Sequence, residues 1–100
     1  MAYNYDLLPE ARLELFNILD YYERINPNLK TEFLHEYIEL IDRVCDNPEQ
    51  FPQHREIYRK ARFTKTFKKY HIVFKVYPDL VLIVAVAHDR RKQYYWKDRG

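Results

Sequence analysis

The eight residues LVLIVAVA, Leu80 to Ala87, contain no polar side chain. A strand with one wet face alternates polar and apolar positions, so an unbroken apolar run of this length predicts a strand in the middle of a sheet, covered on both faces. The run ends abruptly. HDRRKQYYW follows at once, with a histidine, an aspartate, two arginines, a lysine, two tyrosines and a tryptophan within nine residues. A central strand carries its C-terminal end to the rim of its sheet, where the side chains just beyond it are held by a rigid element and stay accessible. Functional residues are therefore expected there.

The rest of the chain supplies the partners for that strand. YNYDLL alternates as a short strand, with Tyr3, Tyr5 and Leu7 on one side and Asn4 and Asp6 on the other. Pro9 suits the first turn of a helix and Glu10 its positive end. Leu8, Ala11, Leu15, Ile18 and Tyr22, widened by Leu19, then form an apolar stripe, which predicts a helix from about Pro9 to Arg24. Pro27 breaks it, and Asn28 is expected to cap the next helix. That helix carries Leu29, Phe33, Tyr37, Leu40 and Val44 on one stripe, flanked by Leu34, Ile38, Ile41 and Cys45, and DNPEQFP ends it. EIYRKARF, YHIVFKV and LVLIVAVA read as three strands, the last two joined by a tight YPDL turn. The expected fold is α+β in two layers: an N-terminal strand, an antiparallel helix hairpin and a three-stranded antiparallel sheet, in the order β-α-α-β-β-β.

One hundred residues allow one hydrophobic core, so residues 1–100 are read as a single domain. Charge is divided unevenly within it. Residues 1–56 hold 5 basic and 12 acidic side chains, a net −7; residues 57–100 hold 12 and 3, a net +9. This asymmetry is either the footprint of a polyanion or an acidic partner, or mutual neutralisation between helices and sheet. The lone Cys45 has no disulfide partner and falls in a helical apolar pattern, which predicts a buried, inert thiol. No basic stretch precedes an apolar run, and no segment reaches the roughly 18 apolar residues of a membrane span. A cytoplasmic protein without membrane contact is expected.

Several chemistries find no support. His35, His54, His71 and His88 lack Cys or carboxylate partners at metal-ligand spacing, so neither metal nor other cofactor is expected. The single Gly, at the terminus, forms no phosphate loop, and the chain has no serine to act as nucleophile. Nothing points to a small-molecule substrate.

The order of elements, the prolines after the second helix, YHIVFKV and above all VAVAHDRRKQYYW resemble the RelE/ParE superfamily of bacterial type II toxin–antitoxin toxins. The likeness spans nearly the whole chain. His88, Arg91 and Trp96 match the ending of the ParE-like branch, with Gln93 in place of its proline. Where members commonly have Phe-Pro-Tyr, this chain has Phe67 and Tyr70 separated by Lys68 and Lys69. The resemblance implies a growth-inhibiting toxin neutralised by a cognate antitoxin, a segment disordered until bound. It implies DNA gyrase as the target for the ParE-like branch, or ribosome-dependent cleavage of mRNA without a metal for the RelE-like one. A non-toxic module that keeps only antitoxin binding is a third alternative.

RNA cleavage needs a group to take the 2′-hydroxyl proton, cations for the phosphate and an acid for the leaving oxygen. Arg62, His88, Arg91 and Tyr94 furnish such a set if the strand bearing Arg62 neighbours the strand that ends at His88. Arg59, Lys60, Lys65, Lys68, Lys69 and Arg90 are candidates for binding a target or nucleic acid, and Tyr95 and Trp96 for stacking on bases. Each has a structural alternative. His88 can cap backbone groups, Arg91 can pair with Glu14 or Glu36 to fasten the tail, and Trp96 can pack against the core. The basic residues of the Arg59 to Lys65 strand can simply face water.

Overall fold

The computed structural model describes residues 3–55 and 57–99. Its elements are β1 (Asn4–Leu7), α1 (Pro9–Ile25), α2 (Pro27–Asp46), a short 3-10 turn (Pro48–Gln50), β2 (Gln53–Arg55), β3 (Tyr58–Arg62), β4 (Tyr70–Val76) and β5 (Leu80–His88). The sheet order is β1-β5-β4-β3-β2. β1 runs parallel to β5, and the other pairs are antiparallel. The α+β order is as expected, but β1 and an additional strand, β2, join the three expected strands in one five-stranded sheet. β2 was not legible, because Gln53, His54 and Arg55 show no apolar alternation and pair with β3 only through Gln53–Arg59 and Arg55–Tyr58. EIYRKARF begins at Glu56, which lies outside the described residues; its strand starts at Tyr58.

A single residue joins the helices. Asn26 closes α1 by donating its N–H to the Tyr22 carbonyl at 2.9 Å, and its Oδ1 caps α2 by accepting from the Asn28 N–H at 2.9 Å. The cap is thus Asn26 rather than Asn28. Pro27 behind it is the first helical residue, where its missing N–H costs nothing. The helices lay Ala11, Leu15 and Leu19, with Phe33, Tyr37, Leu40, Ile41, Val44 and Cys45, onto Ala61, Ile72, Phe74, Val81, Ile83 and Val86 of the sheet. Ile38, expected beside the α2 stripe, is 48% exposed. Phe33 packs within about 5 Å of Phe63, Phe67 and Tyr70, ring centre to ring centre. Full burial of each such ring contributes about 2–3 kcal/mol.

β5 is covered on both faces. The helices lie on one, and the tail from Asp89 to Arg99 returns over the other. Val73 faces Ala85 and Phe74 faces Ile83, which leaves Val84 as the extra residue of a β-bulge. The bulge turns two consecutive side chains, Val84 and Ala85, toward the tail, where they pack with Tyr58, Val73 and Trp96. The outer edge of β5 is closed by three successive groups. Leu8 N–H donates to the Ile83 carbonyl at 3.0 Å, Arg99 Nη1 to the Val84 carbonyl at 3.1 Å, and Val86 N–H to Glu14 Oε1 at 3.1 Å. Two side chains replace the strand that β1 is too short to provide.

Candidate functional site

Between the tail and the sheet lies a cleft of about 430 Å³. Lys60 and Arg62 enter it from alternate positions of β3, whose intervening Ala61 faces the helices. His71 pairs directly opposite Arg62 and lines the same cleft. Asp89, the first residue after β5, is fixed by its N–H on the Lys69 carbonyl at 2.8 Å. Its carboxylate accepts from Arg62 Nη1 at 2.5 Å and lies 2.9 Å from His71 Nδ1. Burial opposes ionisation of Asp89, but the bonds from His71 and Arg62 outweigh it and hold the carboxyl below the usual carboxylate range. Burial pushes the His71 imidazole down despite that carboxylate. Near neutral pH His71 is therefore the neutral ring, with Nδ1–H donating to Asp89. Burial, and then Arg62, also lowers the Lys60 ammonium; burial, and then Lys60, lowers His54 on the neighbouring strand β2.

The tail is tied to α1 by one carboxylate. Glu14, whose side chain is 12% exposed, accepts from Arg99 Nη1 at 2.8 Å, Arg99 Nη2 at 3.1 Å and Tyr95 Oη at 2.5 Å, and Arg91 lies 3.6 Å away. Burial and then the bond to Glu14 push the Tyr95 hydroxyl well above its ordinary range. The guanidinium groups of Arg91 and Arg99 lie 3.9 and 4.9 Å from the centre of the Tyr95 ring. Trp96, only 2% exposed, meets Tyr58 edge-on at 4.5 Å. Tyr94, between the cleft and this knot, has a backbone φ of 62°, in the left-handed region, and Arg55 lies 4.4 Å from its ring centre.

The family model for the ParE toxin of type II toxin-antitoxin systems, parDE, matches residues 5–93. The chain belongs to the ParE toxin family. The described fold is also similar to a solved structure from the chromosomal ParDE TA system of P. aeruginosa, with a TM-score of 0.72 and 15% identity over 87% of this chain and 96% of that one. A search of curated proteins gives no match. The family match ends before Tyr94, so Tyr94, Tyr95 and Trp96 of this ParE-family chain lie beyond the matched residues.

The residues singled out in the sequence divide between two faces. Lys60, Arg62, Arg91, Tyr94, Tyr95 and Trp96 line the cleft. His88 does not. β4 lies between β3 and β5, and His88 points to the helix side, 4.9 Å from the Tyr70 ring, with its Nδ1 accepting from the Arg90 N–H at 3.0 Å. Arg62 and His88 therefore lie on opposite faces of the sheet. Lys68 and Lys69 line a shallow groove with His88 and Tyr22 on that other side. Arg90 is exposed beside His88, not in the cleft. Arg59 turns away from the cleft and donates to the Phe51 carbonyl at 2.7 Å, while Lys65 pairs with Glu39 at 2.7 Å. Arg91 reaches Glu14, one of its two proposed helix partners. Burial removes Trp96 as a stacking surface, and Tyr95 is engaged by Glu14 and two guanidinium groups.

Five residues of the cleft are not among the sequence candidates: His54, His71, Asp89, Lys92 and Gln93. The signal for His71 was the register of the hairpin formed by β3 and β4, because pairing Arg62 with His71 puts both on one face. Chemically, the cleft offers crowded cations, one internal carboxylate and an imidazole oriented by it. Among the described residues, no group of three or more His, Cys, Asp or Glu side chains is placed to hold a metal ion. Nor is any described helix long and apolar enough to cross a membrane.

Proposed function

We propose that this ParE-family chain is a growth-inhibiting toxin that acts on DNA gyrase by binding, in the cytoplasm, and is neutralised by a cognate antitoxin. The observation that supports this reading is the separation of Arg62 and His88 onto opposite faces of the sheet, which speaks against their acting together in RNA cleavage. Tyr95 and Trp96 are likewise committed to holding the tail. An antitoxin segment carrying acidic and apolar side chains would suit the basic second half of the chain and the exposed Leu13, Phe16 and Tyr21 of α1.

One observation favours the alternative, ribosome-dependent cleavage of mRNA. His71, held through Nδ1 by Asp89, shares its cleft with Lys60, Arg62 and Tyr94, and an imidazole so oriented is suited to proton transfer. A module that keeps only antitoxin binding would show no toxicity at all.

The deciding experiment is induction in bacteria without an antitoxin, with ribosome-associated mRNA and plasmid supercoiling followed over the first minutes. The gyrase reading expects lost supercoiling or DNA breaks with intact mRNA, and toxicity that survives His71→Gln. Fresh cuts at ribosome-occupied codons, abolished by His71→Gln in a folded protein, would replace it with the nuclease reading.

A further inference from the structure

The cleft is electrostatically unfinished. Lys60, Arg62, Arg91 and Lys92 bring four fixed cations to its lining, and Asp89 is the only carboxylate there among the described residues. Glu14 touches Arg91 from the α1 side, but the same carboxylate is shared with Arg99, Tyr95 and a backbone N–H. Lys60 has no ion pair among the described residues. Like charges confined in a half-buried cleft repel one another more strongly than they would in water.

We propose that this cleft is a binding site for a phosphate group, and that the Asp89 carboxylate occupies the anion position until such a ligand displaces it. Asp89 already makes the contacts a phosphate oxygen would make, a charge-assisted bond from Arg62 and one from the His71 ring. A ligand carboxylate offers no more than Asp89 does. A phosphate adds a further oxygen and more charge, which lets it engage Arg62 and reach toward Lys60 on β3 and Arg91 on the tail together. Lys60 and Arg62 stand two positions apart on one strand, about 7 Å along it, so the cationic floor is rigid.

A proton accompanies the anion. His71 faces Asp89 from the tail and Lys60 and Arg62 from β3; His54 faces Lys60, with Tyr94 and Trp96 against its ring. Burial and these cations keep both imidazoles neutral near pH 7, and a bound phosphate reverses the balance. The phosphate belongs to a free phosphate compound or to the phosphodiester of a nucleic-acid strand, and the site stands whichever target the toxin has.

The test titrates the full chain at low ionic strength with pyrophosphate and, separately, with a short oligothymidylate, by calorimetry in two buffers of different ionisation enthalpy. Binding with proton uptake is expected, tightened at least about fivefold by Asp89→Asn and weakened about tenfold by Lys60→Gln. Lys97→Ala, the loss of an exposed tail cation outside the cleft, should change it less than about twofold. Saturable binding of pyrophosphate alone assigns the site to free phosphate compounds, and binding of the oligonucleotide to a strand. Binding of neither overturns the proposal. So does equal weakening by Lys60→Gln and Lys97→Ala, or no tightening in folded Asp89→Asn, because diffuse attraction would then be the whole effect. Should Asp89→Asn not fold, ring-proton NMR of His71 in the unmodified chain decides, since no change on adding ligand overturns the site as drawn.

Discussion

Glu14 in the first helix holds Arg99 at the far end of the chain through two hydrogen bonds, at 2.8 and 3.1 Å, and both side chains also bond to the open edge of β5. The tail is thereby fastened across the sheet by charge at the same place where the sheet lacks a strand. A carboxylate that satisfies a fork of guanidinium donors, a tyrosine hydroxyl and a backbone N–H leaves all of them without an acceptor when it is removed.

Glu14→Ala is accordingly expected to cost about 3 kcal/mol, read as a lower midpoint in urea unfolding. Glu14→Gln, which keeps an acceptor oxygen but loses the charge, should cost less. Hydrogen exchange should rise first at Val86 and along the tail. If both variants unfold like the unmodified chain and the tail stays protected, packing of Trp96 alone holds it.

Glu36 plays a comparable part on the second helix. Only 6% exposed, its carboxylate accepts from the backbone N–H groups of Lys65, Thr66 and Phe67 at 3.0, 2.9 and 3.3 Å, closing the turn between β3 and β4. Glu36→Ala orphans three donors and should destabilise by about 2–4 kcal/mol, with Glu36→Gln intermediate. Chemical denaturation checks both. Equal and negligible effects would mean that water replaces the carboxylate without cost.

These two glutamates mark the limit of what the sequence discloses. The apolar stripes of α1 and α2 and the unbroken run of β5 were legible because burial repeats at the period of the element that carries it. Glu14 and Glu36 look like ordinary helical acids, and their partners lie roughly 30 to 85 positions further on. His71 was hidden for a related reason. Its position inside an apolar strand suggested nothing until pairing with β3 set it opposite Arg62. Trp96 and Arg91, by contrast, stood close enough to an evident strand end for their packing and pairing roles to be foreseen.

Tyr94 offers a test of backbone strain. With φ at 62°, it holds a conformation that costs a residue bearing a Cβ about 1 kcal/mol and costs glycine little. Both Tyr94→Ala and Tyr94→Gly lose the ring beneath Arg55, so their difference isolates the backbone. Tyr94→Gly should be the more stable by about 1 kcal/mol, the reverse of the usual order. Thermal unfolding of the pair decides; the usual order would show that the tail relaxes out of the left-handed conformation.

The last prediction concerns acid. His71 and His54 sit in the folded protein below their ordinary imidazole range because burial disfavours the charged ring, and Asp89 sits below the carboxylate range because of His71 and Arg62. In each case the unfolded chain binds the proton first as pH falls, so all three act in the same direction. The stability due to the histidines is fully present above about pH 7 and declines below about 6.5, whereas that due to Asp89 is kept until the pH falls below about 4. The unfolding midpoint should therefore fall between pH 7 and 5, before the carboxylates are protonated. The double variant His54→Gln, His71→Gln should flatten this part of the curve while leaving the steeper loss below pH 4. A slope between pH 7 and 5 that persists in the double variant would assign the effect to other groups and leave the cleft histidines as bystanders.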